Sequence, residues 1–240
     1  MKKVVSLLVF VICAFVAFAQ NDSTTTKPTT TAAKIKGVLL TKYPKDRFAI
    51  DLLGTNWIHN GDNGFKTRWY SRGINIYIYY DLQIKKSRVS FAPGLGIGFT
   101  NIYNNSKLTD TAAAGAKFTP ISDYASNVKI NKVALMYIDV PLELRIRSNK
   151  DRLGNVWKVA IGFKAGVRVD AHTKLVTKTP KENIKLKYFP DFNLFRAGPT
   201  IRVGYSSFNI TAYYGVLGVF KTGKGPVANE FAVGISFNGL

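Results

Sequence analysis

Residues 72–100 read RGINIYIYYDLQIKKSRVSFAPGLGIGFT, and this stretch decides the fold. Large apolar side chains occupy every second position across residues 74–84. After a polar break at 85–88, the alternation resumes in the opposite parity across residues 89–99. Alternation with a period of two predicts strands, and two such runs joined by a tight polar link predict a β-hairpin. Each run is long enough for a tilted strand that crosses a bilayer, which takes about 9–11 residues.

The same alternation returns in six further segments, which raises the predicted number of strands to about eight. These segments are 47–57, 134–147, 157–170, 195–205, 208–216 and 231–238. An even number of strands is typical of bacterial outer-membrane barrels. The sequence therefore predicts an all-β protein, folded as a closed antiparallel transmembrane β-barrel of about eight strands.

Alternation alone does not say which face of the barrel meets lipid, since a soluble barrel would turn its apolar face inward. Here the polar face is rich in small residues and tyrosine, and Gly94, Gly96 and Gly98 are expected to make room for buried arginines. Aromatic residues near the strand ends suggest the girdles of a membrane barrel, with the apolar face toward lipid. They are Trp57, Tyr80, Phe91, Phe99, Trp157, Phe195, Tyr205, Phe208, Phe231 and Phe237.

The links between the predicted strands alternate in length. The long links are 58–71, 104–131, 171–193 and 221–229, and the short ones are 85–88, 148–155 and 206–207. Outer-membrane barrels place short turns in the periplasm and long loops outside. With an even number of strands, both termini of the mature chain are expected in the periplasm of a Gram-negative bacterium.

The N-terminal segment predicts export. Residues 1–19 have a basic start, an apolar run and an Ala-Phe-Ala cleavage site, the pattern of a secretory signal peptide. The single cysteine, Cys13, lies in this segment, so no disulfide is expected in the mature chain. Residues 21–33 are Thr-rich and of low complexity, which predicts a flexible, disordered periplasmic leader at 20–45 before a barrel domain at 46–240.

The strongly basic balance of the chain predicts anionic partners. The formal net charge is +20, and it falls to +18 once the two signal-peptide lysines are removed. In a cytosolic protein this excess would suggest nucleic acid, but an exported protein meets outer-membrane lipid and lipopolysaccharide phosphates instead. We therefore expect lipopolysaccharide contacts at Lys181, Lys185 and Lys187, with a generally basic, soluble loop surface as the alternative.

Charged residues at lumen-facing positions predict an interior network, because a charge in a narrow lumen is costly unless it is paired. The predicted members are Asp81, Asp139, Glu143, Arg145, Lys158, Lys164, Arg168, Asp170, Arg196 and Arg202. The network is either a polar plug that rigidifies the barrel or the lining of a narrow anion-conducting pore.

Nothing in the sequence predicts an enzyme. His59 and His172 lie on different long links, with no nucleophile at a distinctive spacing. The chain has no cysteine–histidine cluster that would predict a metal site. The glycines of residues 93–98 lie within a predicted strand, so they do not form a dinucleotide-binding loop before a helix. We expect no catalytic residue, cofactor or metal.

Three segments carry a resemblance to a known family: YSRGINIY at 70–77, FAPGLG at 91–96 and MYIDVPLELR at 136–145. Together with the signal peptide, the leader and the alternating strands, they resemble the PorT-like outer-membrane β-barrel domain family over roughly residues 45–240. The resemblance implies a shared scaffold, and some members of that family assist a protein-secretion system.

The sequence thus predicts a monomeric, non-enzymatic outer-membrane barrel with a structural or interaction role. One alternative is an accessory of a secretion or transport machine of the PorT type, with envelope proteins as partners. The other is a narrow anion-conducting pore.

Overall fold

A computed structural model describes residues 33–35, 38–42, 47–59, 64–85, 87–111, 115–122, 124–187 and 191–238. The strands are β1 (Ala33–Ile35), β2 (Val38–Lys42), β3 (Phe48–His59), β4 (Arg72–Tyr79), β5 (Leu82–Ile84), β6 (Val89–Tyr103), β7 (Ser106–Thr111), β8 (Gly115–Pro120), β9 (Val128–Arg147), β10 (Trp157–Thr177), β11 (Asn183–Lys187), β12 (Phe195–Tyr205), β13 (Phe208–Gly218) and β14 (Ala228–Asn238). A single helical turn lies at Tyr124–Asn127.

Eight of these strands form a closed antiparallel barrel in the order β3, β4, β6, β9, β10, β12, β13 and β14. The ring closes because β14 pairs with β3 along its whole length, from Ala228 opposite His59 to Asn238 opposite Ala49. The predicted closed barrel of about eight strands is confirmed. We call the end with the tight link at 206–207 the short-turn end, and the opposite end the long-link end.

The long links contain strands of their own that the alternation did not reveal. Within the predicted link 104–131, β7 and β8 form a separate two-stranded hairpin. Strands β9 and β10 are 20 and 21 residues long, so they continue past the barrel at the long-link end. There β11 adds to β10, and the three strands form a small sheet beyond the barrel.

The first predicted strand of the opening hairpin is interrupted. The alternation predicted one strand over 74–84, but β4 ends at Tyr79 and β5 begins at Leu82. The backbone N–H of Tyr80 donates to the carbonyl of Pro93 at 2.8 Å. Proline has no N–H to return that bond, so the regular ladder breaks here while the register on both sides of the break is kept.

Side chains alternate between the interior and the exterior of the barrel as the pattern predicted. In β4 the odd-numbered residues from Gly73 to Tyr79 are buried and the even-numbered ones are exposed. Trp57 was assigned to the outer aromatic girdle, and that assignment is wrong, because this indole is only 2 % exposed inside the barrel. It shares the inward parity of Asp51 and Thr55 on β3.

The N-terminal region was predicted to be a signal peptide and then a flexible, disordered leader. The signal peptide lies outside the described residues. Within the predicted leader, β1 pairs with β2, and β2 pairs with β5 of the barrel region. Two short strands therefore lie inside the range 20–45, and the flexibility of the leader stays a prediction.

Candidate functional site

The wall of the barrel turns buried acidic and basic side chains inward in equal number. Among the described residues, the wall supplies five carboxylates and five cations, each at most 6 % exposed, and a further buried carboxylate, Asp191, lies in the link before β12. The charged residues of the wall are Asp51, Asp81, Asp139, Glu143, Glu230, Arg145, Arg147, Lys164, Arg196 and Arg202. Because the two signs balance, this set of charges gives the lumen no formal excess of either sign.

The middle of the lumen is organised around Arg196 of β12. Its guanidinium donates to both carboxylate oxygens of Asp139, from Nε at 2.9 Å and from Nη2 at 2.6 Å. Its third nitrogen lies 3.3 Å from Glu230, and the Tyr77 hydroxyl donates to Asp139 at 3.1 Å. Bidentate contacts between a guanidinium and a carboxylate are among the strongest and most directional hydrogen bonds that arginine makes. We call Arg196, Asp139 and Glu230 the central triad.

A second set of ion pairs lies toward the short-turn end. Arg145 contacts Asp81 at 3.0 Å and Glu143 at 2.8 Å. Arg202 reaches Asp51 at 2.8 Å and Glu143 at 3.5 Å. Arg202 of β12 thereby contacts Asp51 of β3 and Glu143 of β9, and neither strand is its neighbour in the ring, so these pairs tie separate parts of the barrel wall together.

The long-link end of the lumen is filled by apolar side chains instead of charges. Trp57 of β3 lies at the centre of this filling, with ring centroids of Phe65, Phe192 and Phe220 at 6.2, 6.2 and 5.9 Å. Phe118 of the β7–β8 hairpin packs on Phe65 at 4.2 Å. We call these five aromatic residues the aromatic lid. Four of them come from the long links, so the links fold inward over the mouth of the barrel.

The predicted lipopolysaccharide contacts lie on the outside of the same end. Lys181, Lys185 and Lys187 are all exposed. Lys185 and Lys187 belong to β11, opposite Lys174 and His172 of β10, whereas Lys181 lies in the link before β11.

Residues 60–221 match the family described as outer membrane protein beta-barrel domain. The chain belongs to this family. Two solved structures of Ail, the attachment invasion locus protein of Yersinia pestis, are similar to this outer-membrane barrel. One is 12 % identical with a TM-score of 0.34, and the other, in complex with the heparin analogue sucrose octasulfate, is 10 % identical with a TM-score of 0.32. Each match covers 81 % of this chain and 97 % of the Ail chain. Among curated proteins, none matches the sequence.

Six of the ten residues predicted for the lumen of this outer-membrane barrel form ion pairs there. They are Asp81, Asp139, Glu143, Arg145, Arg196 and Arg202. A seventh, Lys164, is buried with its ammonium 3.6 Å from the centre of the Tyr213 ring. Asp51, Arg147 and Glu230 were not in this set; Asp51 and Arg147 lie at inward parity within predicted strands, whereas Glu230 lies one residue before the predicted segment 231–238.

The remaining three predicted lumen residues lie toward the two ends of the barrel. Lys158 is half-buried at the short-turn end, directly opposite Arg147 on β9. The Arg168 guanidinium donates to the backbone carbonyls of Asn193 at 3.1 Å and Phe192 at 3.2 Å, so it binds the backbone of the long link before β12.

Asp170 is turned out of the lumen by a β-bulge. Arg168 lies opposite Tyr137 of β9, but Asp170 lies opposite the next residue, Met136, so one extra residue stands between them. A bulge of this kind reverses the inward–outward alternation for the rest of the strand. The Asp170 side chain is 46 % exposed and contacts His172 Nδ1 at 2.8 Å. The prediction that Asp170 joins the lumen network is therefore wrong.

The two histidines of this outer-membrane barrel are far apart in its architecture. His59 ends β3 and packs against Phe65 at 5.2 Å, whereas His172 pairs with Asp170 on β10. In the part of the chain that the structure describes, no group of three or more His, Cys, Asp or Glu could hold a metal ion. In the same part of the chain, no helix is long and apolar enough to span a membrane.

Proposed function

We propose that this outer-membrane barrel is a non-enzymatic protein with a structural or interaction role, whose lumen is closed and whose long links act outside the cell. The observation that carries the proposal is that two different sets of side chains fill the lumen. Paired charges occupy its middle and its short-turn end, and the aromatic lid fills the long-link end. An eight-stranded barrel is only just wide enough to hold its own side chains, so such a filling supports a plug.

Flux through reconstituted protein tests the closed lumen. Ion-selective pores are lined by rings of one sign of charge, whereas the wall of this lumen buries carboxylates and cations together. In a liposome swelling assay with small anions, we expect no flux above that of protein-free vesicles, with a general porin as positive control. Anion flux above this background would overturn the plug and favour the narrow anion pore.

Both termini are proposed to lie in the periplasm, with the long links outside. The alternation of long and short links supports this orientation, because outer-membrane barrels keep their short turns in the periplasm. The test uses the exposed positions Lys181, on a long link, and Lys150, on a short link. On intact cells, a membrane-impermeant maleimide should label K181C and spare K150C. The reverse result would invert the orientation.

The contacts with lipopolysaccharide are proposed at Lys181, Lys185 and Lys187. Their exposure at the long-link end and the basic balance of the chain support them, since each charge near an anionic surface contributes about 1 kcal/mol. Charge reversal of all three should lower the amount of lipopolysaccharide that co-purifies with the barrel. Unchanged retention relative to the wild type would contradict the contacts.

The PorT-type accessory role is the second candidate. The position of the segment 136–145, which resembles the PorT-like family, weighs against it. In the segment 136–145, the side chains of Tyr137, Asp139, Glu143 and Arg145 are buried in the lumen. They build the interior of the scaffold and are not available to a partner. A pull-down from detergent-solubilised envelope tests both roles. A barrel that purifies alone supports the structural role, whereas reproducible capture of secretion subunits would favour the accessory.

A further inference from the structure

The sheet that continues beyond the barrel aligns three lysines in one row. Lys132 of β9 lies directly opposite Lys174 of β10, and Lys174 lies directly opposite Lys185 of β11. Like charges directly opposite one another on neighbouring strands destabilise a sheet. A row of three is therefore costly for folding, and an anionic ligand would relieve the repulsion. We call these three lysines the basic row.

The β-bulge of β10 decides that the basic row faces outward. Before the bulge, the even-numbered Lys164 and Gly166 are buried; after it, the odd-numbered Ala171 and Thr173 are buried. Lys174 would point inward if the alternation continued without the extra residue. The bulge thus moves this lysine to the outer face, where Lys132 is half-buried and Lys185 is exposed.

The basic row lies just beyond the apolar band of the barrel wall. On the same face, Phe99 of β6 lies opposite Met136 of β9, and four residues further along the same strands Tyr103 lies opposite Lys132. Four residues span about 13 Å of strand, which is less along the membrane normal because barrel strands tilt by about 35–45°. Since lysine side chains can bend toward the interface, their ammonium groups come to the level of the lipid phosphates.

Further basic and aromatic residues border the basic row. The neighbouring row of opposed residues on the same outer face has Arg72 of β4 at one end and Lys187 of β11 at the other. The Arg72 guanidinium donates to the Tyr103 hydroxyl at 3.3 Å. Nearby, Trp69 is 93 % exposed, as expected of a side chain that anchors in the membrane interface. One carboxylate, Asp170, shares this face and contacts His172.

We propose that the basic row, flanked by Arg72 and Lys187, binds the phosphate groups of an outer-leaflet lipid headgroup. The inference rests on the proposed lipopolysaccharide contact and deepens it, because it moves the binding site from the tip of the β10–β11 link to the sheet. Lys185 and Lys187 belong to both descriptions, whereas Lys132 and Lys174 belong only to the row.

The test compares two pairs of substitutions that remove the same charge. K132Q/K174Q removes two charges of the basic row, and the Gln at 132 keeps a donor for Asn101, which Lys132 contacts at 2.8 Å. K221Q/K224Q removes two exposed charges from the link between β13 and β14, on the opposite side of the barrel. Heat-modifiable gel mobility shows that each variant is folded. K132R/K174R keeps the charges of the row and should retain wild-type affinity.

The readout is titration of the detergent-solubilised barrel with fluorescent lipid A, in a bisphosphorylated and a dephosphorylated form. K132Q/K174Q should weaken binding of the phosphorylated form about fivefold for each charge, because each charge contributes about 1 kcal/mol and 1.4 kcal/mol is a tenfold change. Binding of the dephosphorylated form should not change. Equal losses in K132Q/K174Q and K221Q/K224Q, or no loss in either, would overturn the proposal.

A third variant separates this inference from the proposed contact on which it rests. If K181E/K185E/K187E loses lipopolysaccharide but K132Q/K174Q keeps its affinity, the basic row is wrong and the contact at the β10–β11 link stands. If K181E/K185E/K187E also retains lipopolysaccharide as the wild type does, both fail.

Discussion

Two parts of the same lumen are filled in opposite ways. In the middle, Arg196 is held by carboxylates from β9 and β14, and its guanidinium lies over the ring of Tyr137. At the long-link end, Trp57 and Phe192 pack among apolar side chains brought in by the links. The charged side chains lie on barrel strands, which hold them at fixed distances across the lumen. The aromatic side chains lie mostly on links, which can fold inward until the rings make contact. The first filling depends on pairing and the second on shape.

The two fillings should respond differently to the loss of one side chain. Removing one member of a buried ion pair leaves the other charge buried without a partner. Removing a buried ring leaves a cavity, and the cost depends on how far the surroundings collapse into it. The links of the aromatic lid are less constrained than the barrel strands, so they can collapse further.

The largest effect is expected from R196A in the central triad. This change leaves both Asp139 and Glu230 without their arginine, so the free energy of unfolding should fall by about 3–5 kcal/mol. The measurement is urea-induced unfolding in lipid vesicles, followed by tryptophan fluorescence.

The matched control for R196A is R152A, at an exposed arginine in a short link. Surface substitutions of this kind change stability by less than about 0.5 kcal/mol. If R196A were no more destabilising than R152A, the central triad would not stabilise the barrel.

A smaller effect is expected from F192A in the aromatic lid. Phe192 is fully buried and stacks on Phe220 at 4.6 Å. The loss should be about 3 kcal/mol, the lower end of the range for a buried phenylalanine, because the links can close part of the cavity. F195A is the control, since Phe195 is 57 % exposed on the outer face. If F192A and R196A lower the free energy of unfolding in vesicles by the same amount, the charged and the aromatic parts of the lumen do not differ in their response to the loss of a side chain.

The sequence predicted the barrel well because alternation reports directly which residues face inward. The bounds of β12 coincide with the predicted strand, and Asp139, Glu143 and Arg145 lie inside as expected. Their partners could be named only as a group, since the alternation shows the face of a residue but not the strand that lies across the lumen.

The features that were missed depend on contacts that are distant in sequence. The bulge before Asp170 adds one residue to β10 relative to β9, and nothing in the local alternation marks it. The inward place of Trp57 follows from its parity, but an indole in a polar lumen becomes favourable only when Phe65 and Phe220 arrive from the links. The β7–β8 hairpin likewise lies in a stretch without a clear period.

Two glycines of the opening hairpin, both expected to make room for arginines, differ in what they accommodate. A Cβ at Gly96 would collide with the Ile76 carbonyl and with the ring of Tyr77 on the neighbouring strand, so this glycine makes room for the backbone of β4 and for a tyrosine. A Cβ at Gly98 would meet the Arg196 guanidinium, with Asn75 Oδ1 at 2.7 Å and Asp139 Oδ2 at 2.8 Å. Of these two glycines, Gly98 is the one that makes room for the central triad.

The smallest effect is expected from G98A, which compresses the central triad without removing any charge. The added methyl group should cost about 1–3 kcal/mol, because overpacking forces neighbours from their preferred geometry. G54A is the control, since its Cβ would meet nothing closer than the Val233 carbonyl at 3.6 Å. In the double variant G98A/R196A the two losses should add only in part, because removing the guanidinium relieves one of the three close contacts and releases Asp139 from its partner. Simple additivity in urea unfolding would show that the cost of the methyl group does not come from Arg196.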